Sequence, residues 1–559
     1  MDRSLRHLLV GAALVVPTLA LVGPSGPAHA DSLGRPDTVL VSTAPDGSPA
    51  NDHSDRPQIS GDGRYVTFDS YATNLVPGTS GLQRRVYRKD MVTGTTIPIS
   101  VSNSGAIATG WSSFSYPSDD GNLIAFVSDS QGLAPVKNFG RSVFVRDVAA
   151  GTTELISVNS AGKAGTGGAS SRPMITGDGR FVAFSSKATN LSPLGGNGAE
   201  QVYLRDRLLH TTTLVSQTST GGLGNSTSYR GTASQDGRYV AFSSFASNMV
   251  PGPSQNGEGI FLRDMVAGTT IRVTTRLDGN PGTGGRPYIT PDGNSIAFNS
   301  YDIFTPGDVI GTSDTFVWDR PTGQFDRLGA SSAPNSDPNG DSLRLFLSDD
   351  SRYAIWNSFA NNLTPNDGNP SGDVFFMDRQ TQTTTLLSLS WFGGAADAQS
   401  FRPVFSNDGS KVAFLSQARN LVQGDTSTQY QVYYMSSASV TAAGLDTTKP
   451  TLAGLSPTAG STVPTSSPVI FSGTLTDDRI IDRVYVQIKD INSGLWLQPN
   501  GSWGSAATPL KATVDNPYTS GSTWSYSANL SPGKYGYTVT GYDVSKNSVK
   551  SLQKNFTGG

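Results

Sequence analysis

The sequence predicts an all-β protein, a seven-bladed β-propeller closed by an N-terminal strand and followed by an immunoglobulin-like β-sandwich. The chain has 63 glycines, 33 prolines and only 15% charged residues, which is typical of short strands joined by turns. A nine-residue motif recurs seven times, and no amphipathic helix of useful length accompanies it. The repeat ends near residue 437, where a second type of composition begins.

The repeated motif combines a tight turn with a strand that ends in an aromatic residue. Its copies are SGDGRYVTF, SDDGNLIAF, TGDGRFVAF, SQDGRYVAF, TPDGNSIAF, SDDSRYAIW and SNDGSKVAF. Successive aspartates are 58, 58, 58, 56, 58 and 58 residues apart, at Asp62, Asp120, Asp178, Asp236, Asp292, Asp350 and Asp408. D-G pairs supply the positive φ that tight hairpins need, so each period predicts one four-stranded antiparallel blade.

The aromatic residue at the end of each motif is predicted to pack between blades. It follows an alternation of apolar positions, which suits a sheet covered on both faces by its neighbours. The seven positions are Phe68, Phe126, Phe184, Phe242, Phe298, Trp356 and Phe414.

The ends of the repeat region favour a closed ring over an open stack of repeats. The seventh copy stops after its third strand, because residues 436–444 lack the outer-strand pattern of the other copies. A matching strand, Thr38–Ser42, precedes the first motif instead. We therefore expect the N-terminal strand to complete the last blade and leave no exposed sheet edge.

The motif G-D-G-[RK]-x-[VI]-A-F resembles the WD40-like (PD40) propeller repeat of TolB-type proteins. The resemblance covers residues 36–437 and implies the fold. It is weak for function, since that family includes assembly proteins, peptidase-associated propellers and lyases. The N-terminal α/β domain of TolB itself has no counterpart in this sequence.

A second domain is predicted at residues 450–559, after a linker at 438–449. Alternating runs start at Pro468, Arg483, Trp496, Thr523 and Tyr535, which fits one β-sandwich. The segments S-P-x-x-G-S-x-V, L-T-D-D and L-S-P-G-x-Y resemble bacterial immunoglobulin-like domains, which implies a spacer or adhesion role. The tryptophans of this domain are predicted to pack in its core and rim, with a sugar-stacking platform as the alternative: Trp496, Trp503 and Trp524.

The first 30 residues are typical of a signal peptide. They carry Arg3 and Arg6, an apolar run from Leu8 to Val22, and an A-x-A cleavage site that ends at Ala30. We expect cleavage after Ala30 and secretion, because prolines interrupt the run and it is short for a retained transmembrane anchor. The chain has no cysteine, so packing alone must stabilise it.

The charge balance limits the classes of partner. The chain has 41 basic and 44 acidic residues, so it offers no basic footprint for nucleic acid or an anionic membrane. We expect a protein or polysaccharide ligand, no nucleic-acid partner, and no membrane insertion after signal cleavage.

The predicted ligand face carries the long loops after the second and fourth strand of each blade, around the central channel. Its candidate contact residues are His53, Arg84, Arg85, Trp111, Trp391 and Phe392. The same loops contain two aspartate pairs, which makes calcium bound by oxygen ligands a hypothesis, with solvated loop acids as the alternative: Asp308 with Asp314 and Asp367 with Asp373. No other cofactor is predicted.

The sequence lacks the residue patterns of several enzyme classes. Only His53 and His210 follow the signal segment, too few for a multi-histidine metal centre. No G-x-S-x-G elbow occurs, which argues against a serine hydrolase. We therefore predict a secreted, non-catalytic binding or scaffold protein. The alternative is a carbohydrate-active enzyme, a lyase or glycosidase, that uses carboxylates on the long-loop face.

Overall fold

The computed structural model describes residues 37–559 except 80, 82, 255, 309–310, 330–336, 366, 368, 392–393, 438–448, 478–480, 516–520 and 544–547. The predicted signal peptide, nearly all of the predicted linker and Phe392 lie outside the described residues. The elements assigned to the described part are all β-strands. None of its helical turns is long and apolar enough to cross a membrane.

The repeat region consists of short strands that alternate with turns and loops. Its strands are β1 (Val39–Leu40), β2 (Ser54–Ile59), β3 (Tyr65–Ser70), β4 (Arg85–Asp90), β5 (Thr96–Pro98), β6 (Ser112–Pro117), β7 (Leu123–Ser128), β8 (Ser142–Asp147), β9 (Thr152–Leu155), β10 (Ser170–Ile175), β11 (Phe181–Ser186), β12 (Gln201–Asp206), β13 (Thr211–Leu214), β14 (Ser228–Ala233), β15 (Tyr239–Ser244), β16 (Gly259–Asp264), β17 (Thr269–Arg272), β18 (Gly285–Ile289), β19 (Ser295–Ser300), β20 (Asp314–Asp319), β21 (Phe325–Leu328), β22 (Ser342–Leu347), β23 (Tyr353–Ser358), β24 (Asp373–Asp378), β25 (Thr383–Leu386), β26 (Ser400–Phe405), β27 (Lys411–Ser416) and β28 (Gln431–Ser436).

These strands form seven four-stranded antiparallel sheets within the described residues of 37–437, one for each copy of the motif. Sheets 1 to 6 take their strands in sequence order: β2–β5, β6–β9, β10–β13, β14–β17, β18–β21 and β22–β25. Sheet 7 contains β26, β27 and β28, and its outer strand is β1. Val39 lies opposite Tyr434 and Leu40 opposite Tyr433, so the strand predicted at 38–42 is present and pairs with the last repeat.

The motif residues have the local roles that their pattern predicts. In sheet 2, Asp120 Oδ1 accepts hydrogen bonds from Ser118 Oγ at 2.6 Å and from the Asn122 amide at 2.9 Å, which holds the turn. The aromatic residues of the second strands are fully buried. Each stacks on a ring of the third strand, as Phe68 does on Tyr87 with 5.8 Å between centroids. The prediction that these aromatics are packing residues is confirmed.

The first strands of the sheets surround a central channel. Strands β2, β6, β10, β14, β18, β22 and β26 contact one another in this order, and β26 contacts β2. The channel mouth is the end at which these strands begin. The loops from the second to the third strands start at the same end, because Ser54 pairs with Ser70 and Ser228 with Ser244.

The C-terminal region contains two sheets around its own hydrophobic core. One has the order β29-β31-β37-β36, and the other is built on β30-β40-β38-β32-β33-β34, with β35 paired to β32 and β39 paired to β38. The strands are β29 (Thr451–Ser456), β30 (Thr462–Val463), β31 (Val469–Thr476), β32 (Ile481–Asp490), β33 (Trp496–Leu497), β34 (Trp503–Gly504), β35 (Leu510–Lys511), β36 (Thr513–Val514), β37 (Gly521–Ala528), β38 (Gly533–Asp543), β39 (Ser548–Lys550) and β40 (Lys554–Gly558).

The tryptophans of this region take part in packing. Trp524 is buried in the core, Trp503 stacks on Tyr535 with 5.9 Å between centroids, and Trp496 lies 5.4 Å from the Lys489 ammonium. A flat platform of three exposed indoles is therefore not formed.

Candidate anion-binding site at the channel mouth

The first strand of each sheet carries one non-glycine residue with a positive φ. These φ angles lie between 51° and 59°, at Arg56, Phe114, Arg172, Arg230, Arg286, Arg344 and Arg402. The pairing of the first strand to the second shifts register at each of them, which is the mark of a β-bulge. A left-handed conformation costs a residue with a side chain about 1–3 kcal/mol. The protein bears this conformational free energy at seven equivalent positions, which indicates that these positions have a function.

Six of the seven bulge positions are arginine, and all seven line the channel mouth. We call the six the arginine ring. The cavity that they surround has a volume of about 360 Å³. Below the ring, the channel is lined by a largely apolar layer: Gln58, Tyr116, Met174, Thr232, Tyr288, Phe346 and Val404. A ligand that enters from the mouth therefore meets guanidinium groups first and apolar side chains next.

The opposite end of the channel is narrow. The Asp119 amide donates to Gly177 O at 2.9 Å, and the Asn407 amide donates to Gly61 O at 3.0 Å, so neighbouring sheets are linked around the axis. The space enclosed there is about 70 Å³. Burial and nearby carboxylates raise the pKa of Asp119, and that of Asp349 to about 6. The wide mouth, rather than this end, offers room for a ligand.

One part of the arginine ring is neutralised by carboxylates, and we call it the paired sector. Asp55 lies 2.8 Å from Arg84, 3.1 Å from Arg402 and 3.2 Å from Arg56. Burial opposes the ionisation of Asp55, but the three guanidinium groups outweigh it and hold its pKa below the usual value. The fully buried Asp69 lies 3.4 Å from Arg84. Burial raises the pKa of Asp69 to about 7, although Arg84 and Arg56 oppose this.

Three consecutive members of the ring, Arg230, Arg286 and Arg344, form what we call the open sector. Among the residues that the structure describes, no carboxylate oxygen lies within 4.0 Å of a guanidinium nitrogen of these three arginines. The sixth member, Arg172, lies between the two sectors and also has no salt bridge in the described structure. Burial, followed by repulsion from neighbouring arginines, lowers the pKa of Arg344 to about 8 and that of Arg286 to about 10. It also lowers the pKa of Arg230. A bound anion would relieve this repulsion, and the open sector has the electrostatics of an anion site.

Tyr229 separates two members of the ring. The guanidinium groups of Arg172 and Arg230 lie 4.8 Å and 5.2 Å from the centroid of its ring. Burial, with a further contribution from Glu258, raises the pKa of Tyr229 to about 12. The hydroxyl therefore stays protonated at neutral pH.

The structure brings three of the sequence-predicted contact residues close to the ring. His53 and Arg84 line a shallow pocket together with Asp55 and Arg402. Trp111 packs edge-on against Phe114, with 6.2 Å between centroids. Arg141 covers the Trp111 ring at 4.5 Å.

The remaining predicted contact residues are not brought to the ring. Arg85 is buried at the start of β4 and donates to Gln83 O at 3.0 Å. The Trp391 amide donates to Asn420 O at 2.7 Å in the loop of another sheet. Phe392 lies outside the described residues.

The aspartate pairs considered for calcium have protein partners. Arg327 lies 2.9 Å from Asp308 and 3.7 Å from Asp314, so a guanidinium supplies the positive charge there. Asp373 accepts from Ser388 Oγ at 2.6 Å and from Asn369 Nδ2 at 3.0 Å. Burial and, to a smaller extent, the neighbouring Asp367 carboxylate raise the pKa of Asp373 to about 7. In the part of the chain described, no group of three or more His, Cys, Asp or Glu side chains is arranged to hold a metal.

Sequence reasoning missed the arginine ring. Its signal is present: an arginine stands six residues before the motif aspartate in six of the seven copies, as Arg56 does before Asp62. A strand pattern does not reveal a bulge, so the pattern alone gives no reason to expect these arginines at the channel mouth.

The solved structures that this chain resembles are distant from it in sequence. No family model and no curated protein matches the sequence. Among solved structures, a prolyl endopeptidase has a TM-score of 0.42 at 9% identity and covers 78% of this chain. The chain spans 55% of the length of that endopeptidase. The WD40 repeats of RRP9 have a TM-score of 0.40 at 9% identity, with 71% of this chain and 97% of that one covered.

A sialidase of Trypanosoma rangeli also matches, with a TM-score of 0.31 at 9% identity and with 91% of this chain and 88% of the sialidase covered. The repeated four-stranded antiparallel sheets of this all-β chain are shown by its own strand pairing. At such identities the likeness concerns the fold alone.

Proposed function

We propose that this protein is a secreted, non-catalytic binding protein whose ligand, a protein or a polysaccharide, presents anionic groups to the channel mouth. In this proposal, residues 36–437 are a seven-bladed β-propeller of the TolB-like PD40 type, and residues 450–559 are an immunoglobulin-like spacer. The observation that carries the proposal is the arginine ring, six arginines at seven equivalent bulges, four of them without a salt bridge in the described structure.

The chemistry of guanidinium groups supports an anionic ligand. Each offers several N–H donors in a planar fork that matches carboxylate, sulfate or phosphate oxygens. The mouth is concave and partly buried, so such hydrogen bonds form with little competition from water. The overall charge of the chain is slightly negative, so attraction for anions requires a local cluster of positive charge such as this mouth.

The proposal is tested by calorimetric titration of the protein, expressed without residues 1–30, with two anionic probes and one neutral probe: oligogalacturonate, oligoglutamate and a maltooligosaccharide. We expect at least one anionic probe to bind, binding to weaken with salt, and the neutral probe not to bind. The double variant R286Q/R344Q should bind at least tenfold more weakly. The matched control R238Q/R352Q removes two exposed arginines that pair with Asp264 and Asp378 and should bind like the wild type. Equal affinities of all three proteins, or no binding of either anion, would contradict the proposal.

The alternative function is a glycosidase or lyase that uses carboxylates of the mouth. Glu258 is the carboxylate of the mouth beside Tyr229, and it is the residue to test. Turnover of the oligosaccharide probes by the wild type, abolished in E258Q, would replace the binding function by catalysis. We expect no turnover, because Tyr229 is held protonated and the paired carboxylates Asp55 and Asp69 are engaged by arginines.

Secretion is tested separately. We expect a full-length chain expressed in a bacterium with a general export pathway to be recovered outside the cytoplasm, with Asp31 as its first residue by N-terminal sequencing. An intact N-terminus would contradict this part of the proposal.

A further inference from the structure

An aromatic rim accompanies the open sector of the arginine ring. The residue directly after the second strand of each sheet is Tyr71, Asp129, Lys187, Phe245, Tyr301, Phe359 or Gln417. The aromatic members of consecutive sheets 4, 5 and 6 are exposed, by 45% for Phe245, 55% for Tyr301 and 46% for Phe359. These are the sheets that carry Arg230, Arg286 and Arg344. We call these three aromatic residues the aromatic rim.

The strand register places each rim residue at the mouth, beside the start of the first strand. Ser244, which precedes Phe245, pairs with Ser228, two residues before Arg230. The Phe245 amide donates to Thr227 O, and the Phe359 amide donates to Asp341 O, both at 2.9 Å. Phe245 and Phe359 are therefore anchored a few residues from the arginine of the same sheet, and Asn299, two residues before Tyr301, pairs with Gly285, the neighbour of Arg286.

The rim side chains are held in place although their outer surfaces are exposed. Phe245 stacks on Tyr229 with 6.1 Å between centroids and 14° between ring planes. The Tyr301 hydroxyl donates to Asp341 Oδ2 at 3.1 Å, which links sheet 5 to sheet 6. By contrast, Tyr71 in the paired sector is covered by the Arg84 guanidinium at 5.2 Å. Only the open sector combines arginines without carboxylate partners and exposed aromatic rings, among the described residues.

We propose that the open sector and the aromatic rim together bind an acidic polysaccharide, a chain of sugars that carry carboxylate or sulfate groups. This inference rests on the proposed function and names its ligand class. The faces of sugar rings present C–H groups, which pack favourably on the electron-rich faces of aromatic rings. The acidic substituents of successive sugars reach the arginines of successive sheets, and each guanidinium binds one through charge-assisted hydrogen bonds.

The backbone of the mouth favours a glycan over an acidic peptide. A peptide that binds by strand addition needs a regular, unpaired strand edge. Here every first strand is interrupted by a bulge, and four of the bulged residues are followed by proline, which has no N–H to donate: Pro57, Pro173, Pro287 and Pro403. The exposed rings also form an open rim rather than pockets for peptide side chains.

The test is the titration of wild-type protein and two sets of variants with oligogalacturonate, with a chondroitin sulfate oligosaccharide and with oligoglutamate. One set is F245A/Y301A/F359A, and the other is R286Q/R344Q. The matched control is L208A/L209A, which removes two leucines that are 68% and 63% exposed in the turn after the third strand of sheet 3, at the end opposite the mouth. Thermal melting and circular dichroism confirm that each variant is folded, since the rim residues are surface positions.

We expect at least one acidic oligosaccharide to bind and to lose about tenfold or more in affinity in both sets of variants, while L208A/L209A binds like the wild type. Oligoglutamate should bind more weakly and should respond to the arginine variant alone. If acidic oligosaccharides depend on the arginines and are indifferent to the rim, the glycan inference fails while anion binding stands. If oligoglutamate binds as tightly as the glycans and depends equally on the rim, a peptide replaces the glycan. If none of the three probes binds, both proposals fail.

Discussion

The paired and open sectors of the channel mouth use the same backbone position for opposite electrostatic purposes. Arg56 and Arg402 occupy the same position in their own bulges as Arg286 and Arg344 do in theirs. The first two contact Asp55, whereas the last two have no salt bridge in the described structure. Repetition of the backbone therefore does not imply repetition of the chemistry. The residues around each bulge, such as Asp55 on the first strand and Asp69 on the second strand of sheet 1, decide whether an arginine stabilises the ring or is available to a ligand.

The difference predicts that removing charge has opposite effects in the two sectors. A guanidinium that is paired in a partly buried place contributes to folding, whereas one without a partner opposes it. The following changes test this contrast.

The largest effect is expected for Asp55→Asn. This substitution removes the carboxylate that three guanidinium groups share at 2.8, 3.1 and 3.2 Å, so the free energy of unfolding should fall by about 2–4 kcal/mol. Urea denaturation at neutral pH measures it. Asp378→Asn, which breaks an exposed pair with Arg352, should cost less than about 1 kcal/mol. Equal losses in the two variants would remove the distinction between the mouth and the surface.

A stabilisation of about 1 kcal/mol is expected for Arg344→Gln. The change removes a half-buried positive charge that faces Arg402, Arg286 and Arg230 and has no salt bridge among the described residues. The equivalent change in the paired sector, Arg56→Gln, should destabilise the protein, because Asp55 and Asp69 lose a partner. Denaturation curves of the two variants that shift in the same direction would contradict the contrast.

The pH dependence of the free energy of unfolding tests the protonation of Asp69 when the wild type is compared with a variant at that residue. Its pKa of about 7 lies above the value of about 3.9 for an unfolded chain. Between these pH values the folded protein binds more protons, so this group makes stability fall as the pH rises from 4 to 7. Asp69→Asn should flatten this part of the curve by up to about 1.4 kcal/mol per pH unit at its steepest. Unchanged slopes in urea titrations from pH 5 to 7 would show that Asp69 is ionised throughout.

The smallest expected effect is that of salt. Screening weakens the repulsion in the open sector, so moderate sodium chloride should raise the free energy of unfolding of the wild type by less than about 1 kcal/mol. The increase should be smaller in Arg344→Gln. A larger increase in that variant would mean that the repulsion lies elsewhere in the molecule.

The sequence was sufficient to predict the strands and their burial. Residues such as Phe68 and Phe242 recur at equivalent positions of the repeat, and a repeated short run of this kind predicts a strand that is covered on both faces. The strand at 38–42 could be predicted because it has the spacing of the other outer strands. These features depend on local pattern and repetition alone.

The site could not be predicted to the same extent, because its character depends on contacts between repeats. Asp55 meets Arg402 from the other end of the repeat region, and no local pattern shows this. The sequence suggests a cation site at Asp308 and Asp314, but the Arg327 guanidinium lies 2.9 Å from the first and 3.7 Å from the second. The direction of the ring arginines follows from a positive φ, which strand propensity gives no reason to expect at an arginine.

The pairing of β1 with β28 also bears on how the protein is made. Thr38 and Met435, which touch through Oγ1 and Sδ at 3.9 Å, are 397 positions apart in the chain. A ribosome must therefore produce nearly all of the repeats before the first strand finds its partner, and contacts this distant form slowly. A nascent chain that is released early has no β28, so its strand β1 stays unpaired and sheet 7 is not completed. Such incomplete chains lack a whole sheet and carry an unpaired first strand. We expect proteases to cleave them more readily than the complete protein, because unpaired strands are accessible.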